Sequence, residues 1–227
     1  TVTVIYNIVP GNRVEVAFVE IEGGGEVERR SAVGPTQAAR LRREIGHRRG
    51  GCPFARFICM NSGSEAVTVA CRIADVNARR QTDPGAPHAG HTIRQLSLAG
   101  SFHGRTERPA RLSDSTRDVY RTHLASFRDA DALDVVQPND VSGLRAAFDA
   151  ADRDGVFYEA VVLEPVMGEG QPGLALQRAF YDEARRLCDD HGALLVVDSV
   201  QAALRAQGCL SIVDYPGFED AAPPDVE

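Results

Sequence analysis

The spacing of apolar residues along the chain predicts helices that alternate with strands. From residue 141 onward the pattern predicts a helix at about 141–153, a strand at 157–164, a helix at 174–192 and a strand at 193–198. Gly192 marks the end of the second helix, because a glycine readily takes the left-handed conformation that ends helices. Strands that alternate with helices favour an α/β fold built on a largely parallel sheet.

Earlier in the chain, apolar residues at the helical spacing or in strand-like alternation predict further elements, and glycine and proline residues separate them. These are a strand at 13–20, a helix at 35–49 with Thr36 as its candidate N-cap, a strand at 54–60, a helix within 61–80 and a strand at 93–100. The stretch 101–115 shows neither period, so we expect it to be irregular. The tail 217–227 is rich in turn residues, and we expect no closing element there.

Composition narrows the class of protein. A chain of 227 residues with 43% hydrophobic and 25% charged residues is typical of a soluble globular protein with a core. The net charge of −7 argues against a nucleic-acid partner, and no apolar run is long enough to span a membrane. The first residues lack the features of a secretory signal, and the five cysteines are odd in number without close pairing. We therefore expect a cytoplasmic protein with reduced thiols and no metal site.

The 25 basic residues are all arginine, and the printed sequence contains no lysine. A chemical step that needs a lysine amine therefore cannot be carried out by these 227 residues alone.

The first candidate site is the strand-to-helix turn "NSGSEA" at 61–66. Gly63 would let a ligand approach the backbone, and Ser62 and Ser64 offer hydroxyls beside the free N–H groups of a helix start, which suits a phosphate. The alternative is that Ser62 or Ser64 merely caps the helix, with Glu65 in its first turn.

Two further candidate sites follow strands. Glu164 ends one strand and precedes a glycine-rich turn that contains Glu169, and Asp198 ends another strand, with Gln201 close behind. The alternatives are that Glu164 faces solvent and that Asp198 is a surface acid capping the next turn. Ligands of open α/β sheets bind beyond the carboxyl ends of the strands. The three features together therefore suggest a ligand with a phosphate and a protonated ring nitrogen.

Five ordered motifs resemble those of one enzyme family. They are "NSGSEAVTVACRIA", "GSFHGRT", "LEPVMGEGQPG", "LCDDHGALLVVDSVQ" and "PPDVE". In this order they resemble the class III (ω-amino acid) aminotransferases, which have pyridoxal-phosphate fold type I, over about residues 54–227. The resemblance implies a three-layer α/β sandwich with a mainly parallel sheet. It further implies a partial large domain binding pyridoxal 5′-phosphate at 51–227. Residues 1–50, with their predicted strand and helix, match nothing in the family pattern and form an unplaced N-terminal segment.

The resemblance also implies which residues anchor that cofactor. Gly63 and Ser64 would hold its phosphate. Asp198 would pair with the protonated pyridine nitrogen, so that the ring can accept electrons from the substrate. Gln201 would hydrogen-bond the phenolic oxygen of the ring.

Other residues would surround the ring according to the same resemblance. Phe102 would stack on one face, unless it is a plain core aromatic, and Val200 would pack on the other face. His103 would shape the turn beside the ring, and Glu164 would lie near it. Glu169 corresponds to the family glutamate that pairs with a switch arginine.

The chain departs from the family pattern in two ways. Where the family has "DEVQTGFGRTG", Ser199 replaces a glutamate, and Ala203 and Arg205 replace glycines. The family's Schiff-base lysine, which also transfers the substrate proton, lies beyond a motif that matches Pro224 and Asp225. We therefore expect a fragment that stops before this lysine and lacks the small C-terminal domain, with negligible turnover on its own.

The implied function is transfer of an amino group from an ω-amino acid or diamine to a 2-oxo acid by a homodimeric enzyme. The alternative is a non-catalytic paralogue that binds the cofactor, or that pairs with an active subunit in a regulatory or structural role. A generic phosphate-binding α/β domain would require the motif order to be a coincidence.

Overall fold

A computed structural model describes residues 2–6 and 35–227, and its centre is a four-stranded parallel sheet. The strands are β3 (Thr92–Leu98), β4 (Leu133–Val136), β5 (Val156–Leu163) and β6 (Leu194–Val197), in the spatial order β4-β3-β5-β6. Every neighbouring pair is parallel. A second, two-stranded sheet pairs β1 (Val2–Tyr6) with β2 (Arg56–Met60) in antiparallel register. The strand expected at 13–20 lies outside the described residues.

Helices cover both faces of the parallel sheet, which confirms the three-layer α/β architecture. On one face, α2 (Gly63–Thr82) packs its alanine-rich stripe on Ala160 and Val162 of β5 and on β6. On the other face, α5 (Val141–Asp154) and α6 (Arg178–His191) pack on Val161 and Leu163. Successive strand residues point to opposite faces, so the continuous apolar runs of β5 and β6 supply both cores. Each fully buried large apolar side chain contributes roughly 1.5–3 kcal/mol.

Two predicted helices are shorter than expected. The helix predicted at 35–49 is α1 (Pro35–Glu44), and Thr36 lies inside it rather than capping it. The helix ends early because Gly46 adopts φ +78° and donates its N–H to the distant Asp214. The helix predicted at 174–192 begins only at Arg178, because Ala175 forms a bridge with Val166 that folds the preceding loop back.

The stretch expected to be irregular instead contains helices. These are α3 (Glu107–Leu112) and the start of α4 (Asp114–His123). The first helix was not predicted because Pro109 suggested a break in the chain. A proline in the first turn of a helix nevertheless interrupts no intrahelical hydrogen bond, since the N–H groups there have no partner within the helix. The short edge strand β4 was also not predicted, because four residues are too few to establish a period.

The tail is more ordered than expected. Val226 forms a parallel bridge with Val196 of β6, and Val197 donates its N–H to the carbonyl of Val226 at 2.9 Å. As expected, no helix or strand follows residue 214, but this single bridge holds the last residues of the tail beside β6. The bridge depends on backbone contacts with a strand about 30 residues earlier, which local composition cannot show.

Two general expectations can be compared with the structure. All five cysteines carry free thiols. Within residues 2–6 and 35–227, no helix combines the length and the apolar character that crossing a bilayer requires.

Candidate functional site

The direction of the chain across the parallel sheet reverses at β3. The chain passes from β3 to β4 on one side and then to β5 on the other side of β3. Open α/β sheets bind ligands at such a reversal, where the loops beyond adjacent strands diverge. Here β3 leads to Phe102 and His103, β5 leads to Glu164, and β6 leads to Asp198. The topology therefore gathers four of the predicted site residues at one edge.

Asp198 and His103 form a buried hydrogen-bonded pair at this edge of the sheet. Asp198 Oδ2 lies 2.8 Å from His103 Nδ1, and the two side chains are 4% and 0% exposed. An ionised carboxylate can only accept, so Nδ1 donates its proton to Asp198. The other ring nitrogen, Nε2, lies 2.9 Å from the Ser97 hydroxyl, which in turn lies 2.8 Å from the Ser101 hydroxyl. A chain of buried hydrogen bonds thus holds the imidazole in one orientation.

The burial of Asp198 contradicts its interpretation as a surface acid. One part of that alternative holds, since Asp198 Oδ1 accepts the N–H of Val200 at 3.1 Å and so caps the turn that follows β6. An ionised carboxylate has about four acceptor positions, and the described contacts use two of them. Asp198 therefore keeps the capacity to accept a further donor.

Glu164 joins two loops of the site from a buried position, so the interpretation that it faces solvent is wrong. Its carboxylate accepts the N–H of Phe102 at 2.9 Å and the N–H of Gly168 at 3.0 Å. Burial is the main influence on this carboxyl group and raises its pKa, while the charge of His103 acts in the opposite direction. The carboxylate fixes the loop after β3 against the loop after β5.

The start of α2 is capped by Ser62 and Glu65. Ser62 Oγ accepts the N–H of Glu65 at 3.3 Å, and Glu65 Oε2 accepts the N–H of Asn61 at 3.0 Å. Ser62 is therefore the N-cap with Glu65 in the first turn, as the alternative interpretation of this turn supposed, and Glu65 also binds the backbone of the residue before the cap. Ser64 is not the cap. Its hydroxyl accepts the N–H of Arg105 at 3.0 Å and so links the start of α2 to the loop after β3.

Two glycines allow these segments to approach closely. A Cβ added at Gly104, which has φ +121°, would lie 2.6 Å from Ser64 Oγ. A Cβ added at Gly63 would lie 2.6 Å from Val200 Cγ1. The start of α2 therefore meets both the loop after β3 and the turn after β6.

The remaining predicted residues line the same edge. Phe102 is only half-buried, with the Arg105 guanidinium 5.2 Å from its ring centre, so it is not a core aromatic. Val200 is 46% exposed. Gln201 packs so closely on Gly168 that a Cβ there would overlap its side-chain oxygen. Glu169 follows in that loop, but no hydrogen bond of its carboxylate joins it to the other described site residues.

Sequence reasoning missed several residues that support the site. Ser97 contacts His103 Nε2, and Ser113 Oγ accepts the N–H of His103 at 2.8 Å. Neither serine carries a signal in the sequence, because each acts through a contact that only folding creates. Arg105 lies within the "GSFHGRT" motif and could have been singled out from it.

The departures from the expected pattern also have structural consequences. Ser199 donates to Glu227 Oε1 at 2.6 Å, and burial raises the pKa of Glu227 to about 7. Ala203, which stands where the resembling sequences have a glycine, adopts φ +21° at the start of α7 (Ala203–Gln207). A positive φ is uncommon for alanine, and this turn therefore retains a conformation better suited to glycine.

Comparison with known proteins places these features in context. The profile described as aminotransferase class-III matches residues 27–219. The acetylornithine aminotransferase of Nostoc sp. is 31% identical over 170 residues, which cover 74% of this chain and 36% of that protein. The acetylornithine aminotransferase of Thermosynechococcus vestitus is 30% identical and is matched over 82% of this chain and 41% of its own length. The chain thus spans well under half the length of these relatives.

Solved structures show a similar arrangement. An ornithine aminotransferase from Toxoplasma gondii, whose active site is partly occupied by PLP, superposes with a TM-score of 0.56 at 25% identity. The match covers 73% of this chain and 35% of that structure. A second structure of the ornithine aminotransferase, from Toxoplasma gondii ME49, gives a TM-score of 0.52 at 23% identity and supports the fold.

Proposed function

Because the chain belongs to the class-III aminotransferase family, we propose that its carboxyl-edge site binds pyridoxal 5′-phosphate for amino-group transfer. The observation that carries this proposal is Asp198, a buried carboxylate that is positioned by His103 and still has acceptor capacity. A buried carboxylate needs a cationic or strongly donating partner. A protonated pyridine nitrogen meets that need.

The residues present fit the cofactor at its other contacts. The first N–H groups of α2 have no partner within the helix, and the helix dipole favours an anion there, so Gly63 and Ser64 suit a phosphate. Half-buried Phe102 and exposed Val200 offer apolar surface for the two faces of a ring. Gln201 offers an amide to the phenolic oxygen. These assignments are proposals for this chain.

Each residue then has a defined task. When bound, the cofactor supplies an electron sink for the carbanion that forms as the substrate loses a proton. Asp198 stabilises the cationic ring through its charge, and His103 holds the Asp198 carboxylate in place. Glu164 keeps the two loops that carry Phe102 and Gly168 in register. The close contact between Gly63 and Val200 shapes the rim of the pocket.

We extend the proposal to the class of amino donor. The relatives named above are acetylornithine and ornithine aminotransferases. The proposed donor is accordingly an ω-amino acid or diamine with a terminal amine, and the acceptor is a 2-oxo acid. Glu169, half-buried beside the pocket, is the proposed partner of a switch arginine. We further propose that the protein is a homodimer in the cytoplasm. Residues 51–227 would form part of its large domain, and residues 1–50 would precede that domain.

The absence of lysine from the 227 residues limits what this chain can do by itself. We propose that it binds the cofactor non-covalently and does not turn over without an amine supplied by other residues. The same observation favours a second candidate function, a cofactor-binding subunit that associates with an active homologue. Extending the reading frame past Glu227 distinguishes the two, because a nearby lysine codon supports the enzyme and its absence supports the subunit.

The direct test is titration of the purified chain with pyridoxal 5′-phosphate, followed by calorimetry and visible absorbance. Asp198→Asn keeps the shape of the side chain but removes its charge, and should weaken binding by about tenfold or more, since a charge-assisted contact contributes roughly 1.5–3 kcal/mol. Asp118→Asn, an exposed acid on α4, is the matched control and should bind as the wild type does.

Borohydride adds a second measurement to the titration. Borohydride makes an imine between the cofactor and an amine permanent. Because the chain has no lysine, the only covalent adduct expected after reduction is at the N-terminal amine. Equal affinity of the Asp198 and Asp118 variants would reject the proposed site, and an adduct at another residue would reject the non-covalent mode.

A further inference from the structure

Three consecutive residues of the loop after β3 hold a single residue of α2. A Cβ at Gly104 would lie 2.6 Å from Ser64 Oγ, so only a glycine leaves room for Ser64 at this point. Arg105 donates its backbone N–H to Ser64 Oγ at 3.0 Å, and Thr106 Oγ1 donates to the Ser64 carbonyl at 3.2 Å. The loop therefore fixes both the side chain and the backbone of Ser64.

Thr106 uses its hydroxyl for this contact instead of capping its own helix. It is the N-cap residue of α3 and has an extended backbone, with φ −76° and ψ 161°, yet its side chain makes no capping hydrogen bond. A threonine at an N-cap commonly accepts an N–H from the first turn of its helix. Here Oγ1 lies instead 3.2 Å from the Ser64 carbonyl oxygen and 3.0 Å from Thr68 Oγ1. The side chain therefore stabilises the start of α2 rather than the start of α3.

Thr68 holds the same carbonyl from within α2. Its hydroxyl donates to the Ser64 carbonyl, four residues earlier, at 2.7 Å. A hydroxyl has a single proton to donate. Because Thr68 gives its proton to the carbonyl, Thr106 is the donor between the two hydroxyls, and its proton is shared between Thr68 Oγ1 and the carbonyl. The two threonines thus fasten the first turn of α2 to the loop after β3.

These contacts leave the Ser64 hydroxyl with a proton to donate. Ser64 Oγ accepts the N–H of Arg105, and within residues 2–6 and 35–227 it donates to no acceptor. Helix capping does not need it, because Ser62 is the N-cap. The N–H groups of Gly63 and Ser64 belong to the first turn, where backbone donors have no intrahelical partner. A hydroxyl that accepts one hydrogen bond is polarised and donates the next one more strongly.

We propose that Thr106 is a positioning residue for the phosphate group of the cofactor, an inference that rests on the function proposed above. Thr106 does not contact the phosphate. It fixes the first turn of α2 through the Ser64 carbonyl, and the Arg105 N–H occupies the acceptor side of the Ser64 hydroxyl. The hydroxyl then has one role, which is to donate to a phosphate oxygen beside the N–H groups of Gly63 and Ser64.

The test compares two ligands by calorimetric titration of the purified chain. Pyridoxal 5′-phosphate carries the phosphate and pyridoxal lacks it, so the ratio of their affinities isolates the phosphate contacts. Thr106→Val keeps the branched shape of the side chain and removes its hydroxyl. This variant should bind pyridoxal 5′-phosphate about fivefold more weakly than the wild type and should bind pyridoxal equally well. Thr106→Ser restores the hydroxyl and should bind pyridoxal 5′-phosphate within about twofold of the wild type.

A double variant tests whether Thr106 acts through Ser64. Ser64→Ala removes the donor itself and should weaken binding of pyridoxal 5′-phosphate by about tenfold or more, with pyridoxal unaffected. Adding Thr106→Val to Ser64→Ala should change the affinity by less than about twofold, because the hydroxyl that Thr106 positions is already gone. A further fivefold loss in the double variant would overturn the assignment.

The matched control is Thr122→Val on α4. Thr122 is exposed, as Thr106 is, and its hydroxyl donates to the carbonyl of Asp118 at 2.8 Å, so its removal costs a similar hydrogen bond outside the site. The control should bind both ligands as the wild type does.

The outcomes separate this inference from the proposed function. A wild type that binds the two ligands equally well has no phosphate site, which would overturn both. A wild type that prefers pyridoxal 5′-phosphate, with Thr106→Val keeping the whole preference, would overturn the role of Thr106 alone. Equal losses for both ligands in Thr106→Val would also overturn that role, because they would show a general effect of Thr106 on the fold.

Discussion

The His103–Asp198 pair offers the most direct test of how the site is built. Replacing His103 by alanine leaves a carboxylate that is 4% exposed without the donor that lies 2.8 Å away in the wild type. Asp198 would keep only the N–H of Val200, and Ser97 would keep Ser101 as a partner. Leaving a buried charge without the partner that faced it costs about 3–5 kcal/mol. We expect His103→Ala to lower the free energy of unfolding by that amount.

The opposite replacement should cost less. Asp198→Ala leaves a neutral imidazole with one unpaired nitrogen, and its Nε2 keeps the contact with Ser97. An unsatisfied neutral group costs about 1–3 kcal/mol. In the double variant neither member of the pair is left behind without its partner. The combined loss should therefore fall short of the sum of the two single losses by about 1.5–3 kcal/mol.

Urea denaturation of the four proteins measures this coupling. Far-ultraviolet circular dichroism and tyrosine fluorescence should give the same transition, which establishes two-state unfolding in a chain that has no tryptophan. Additive losses, to within about 0.5 kcal/mol, would show that the two side chains do not interact energetically. That result would refute the assignment of His103 as the residue that positions Asp198.

Two other predictions follow from the site. Gly104→Ala should lower stability by about 2–3 kcal/mol, because its φ is +121° and the new Cβ would lie 2.6 Å from Ser64 Oγ. The control is Gly85→Ala, which has φ +89° but no atom within 4 Å of the new Cβ, and it should lower stability by only about 1 kcal/mol. If thermal unfolding shows the same loss of stability for both variants, the contact with Ser64 does not explain the need for glycine at position 104. Glu164→Gln should cost about 1–3 kcal/mol, because its amide would turn a donor towards the N–H of Phe102 or Gly168. Because burial raises the pKa of Glu164, the difference in unfolding free energy between the wild type and this variant should be largest below pH 4.5 and should shrink as the pH rises through the raised pKa. Urea denaturation at several pH values measures this difference, and a difference that grows with pH would contradict the argument.

Much of the fold could be predicted because its signals are local. The apolar run that ends at Asp198, the helical stripe of α6 and the turn at Gly192 each depend on neighbouring residues. The α/β class, the parallel sheet and the carboxyl-edge position of Glu164 and Asp198 follow from such patterns. The stretch of α3 and α4 failed the same analysis, because Pro109 and the short helix length obscure the period.

The sequence by itself therefore determined the longer helices and strands, the family and the residues that end β5 and β6. Only the tertiary structure decided what those residues contact. His103 meets Asp198 across 95 positions, and a bulge in β5 turns Glu159 towards an arginine 51 positions away. The reason is physical: periodicity reports the face on which a side chain lies, whereas a buried charge is stabilised by whichever donor the packing of distant elements brings within hydrogen-bond distance.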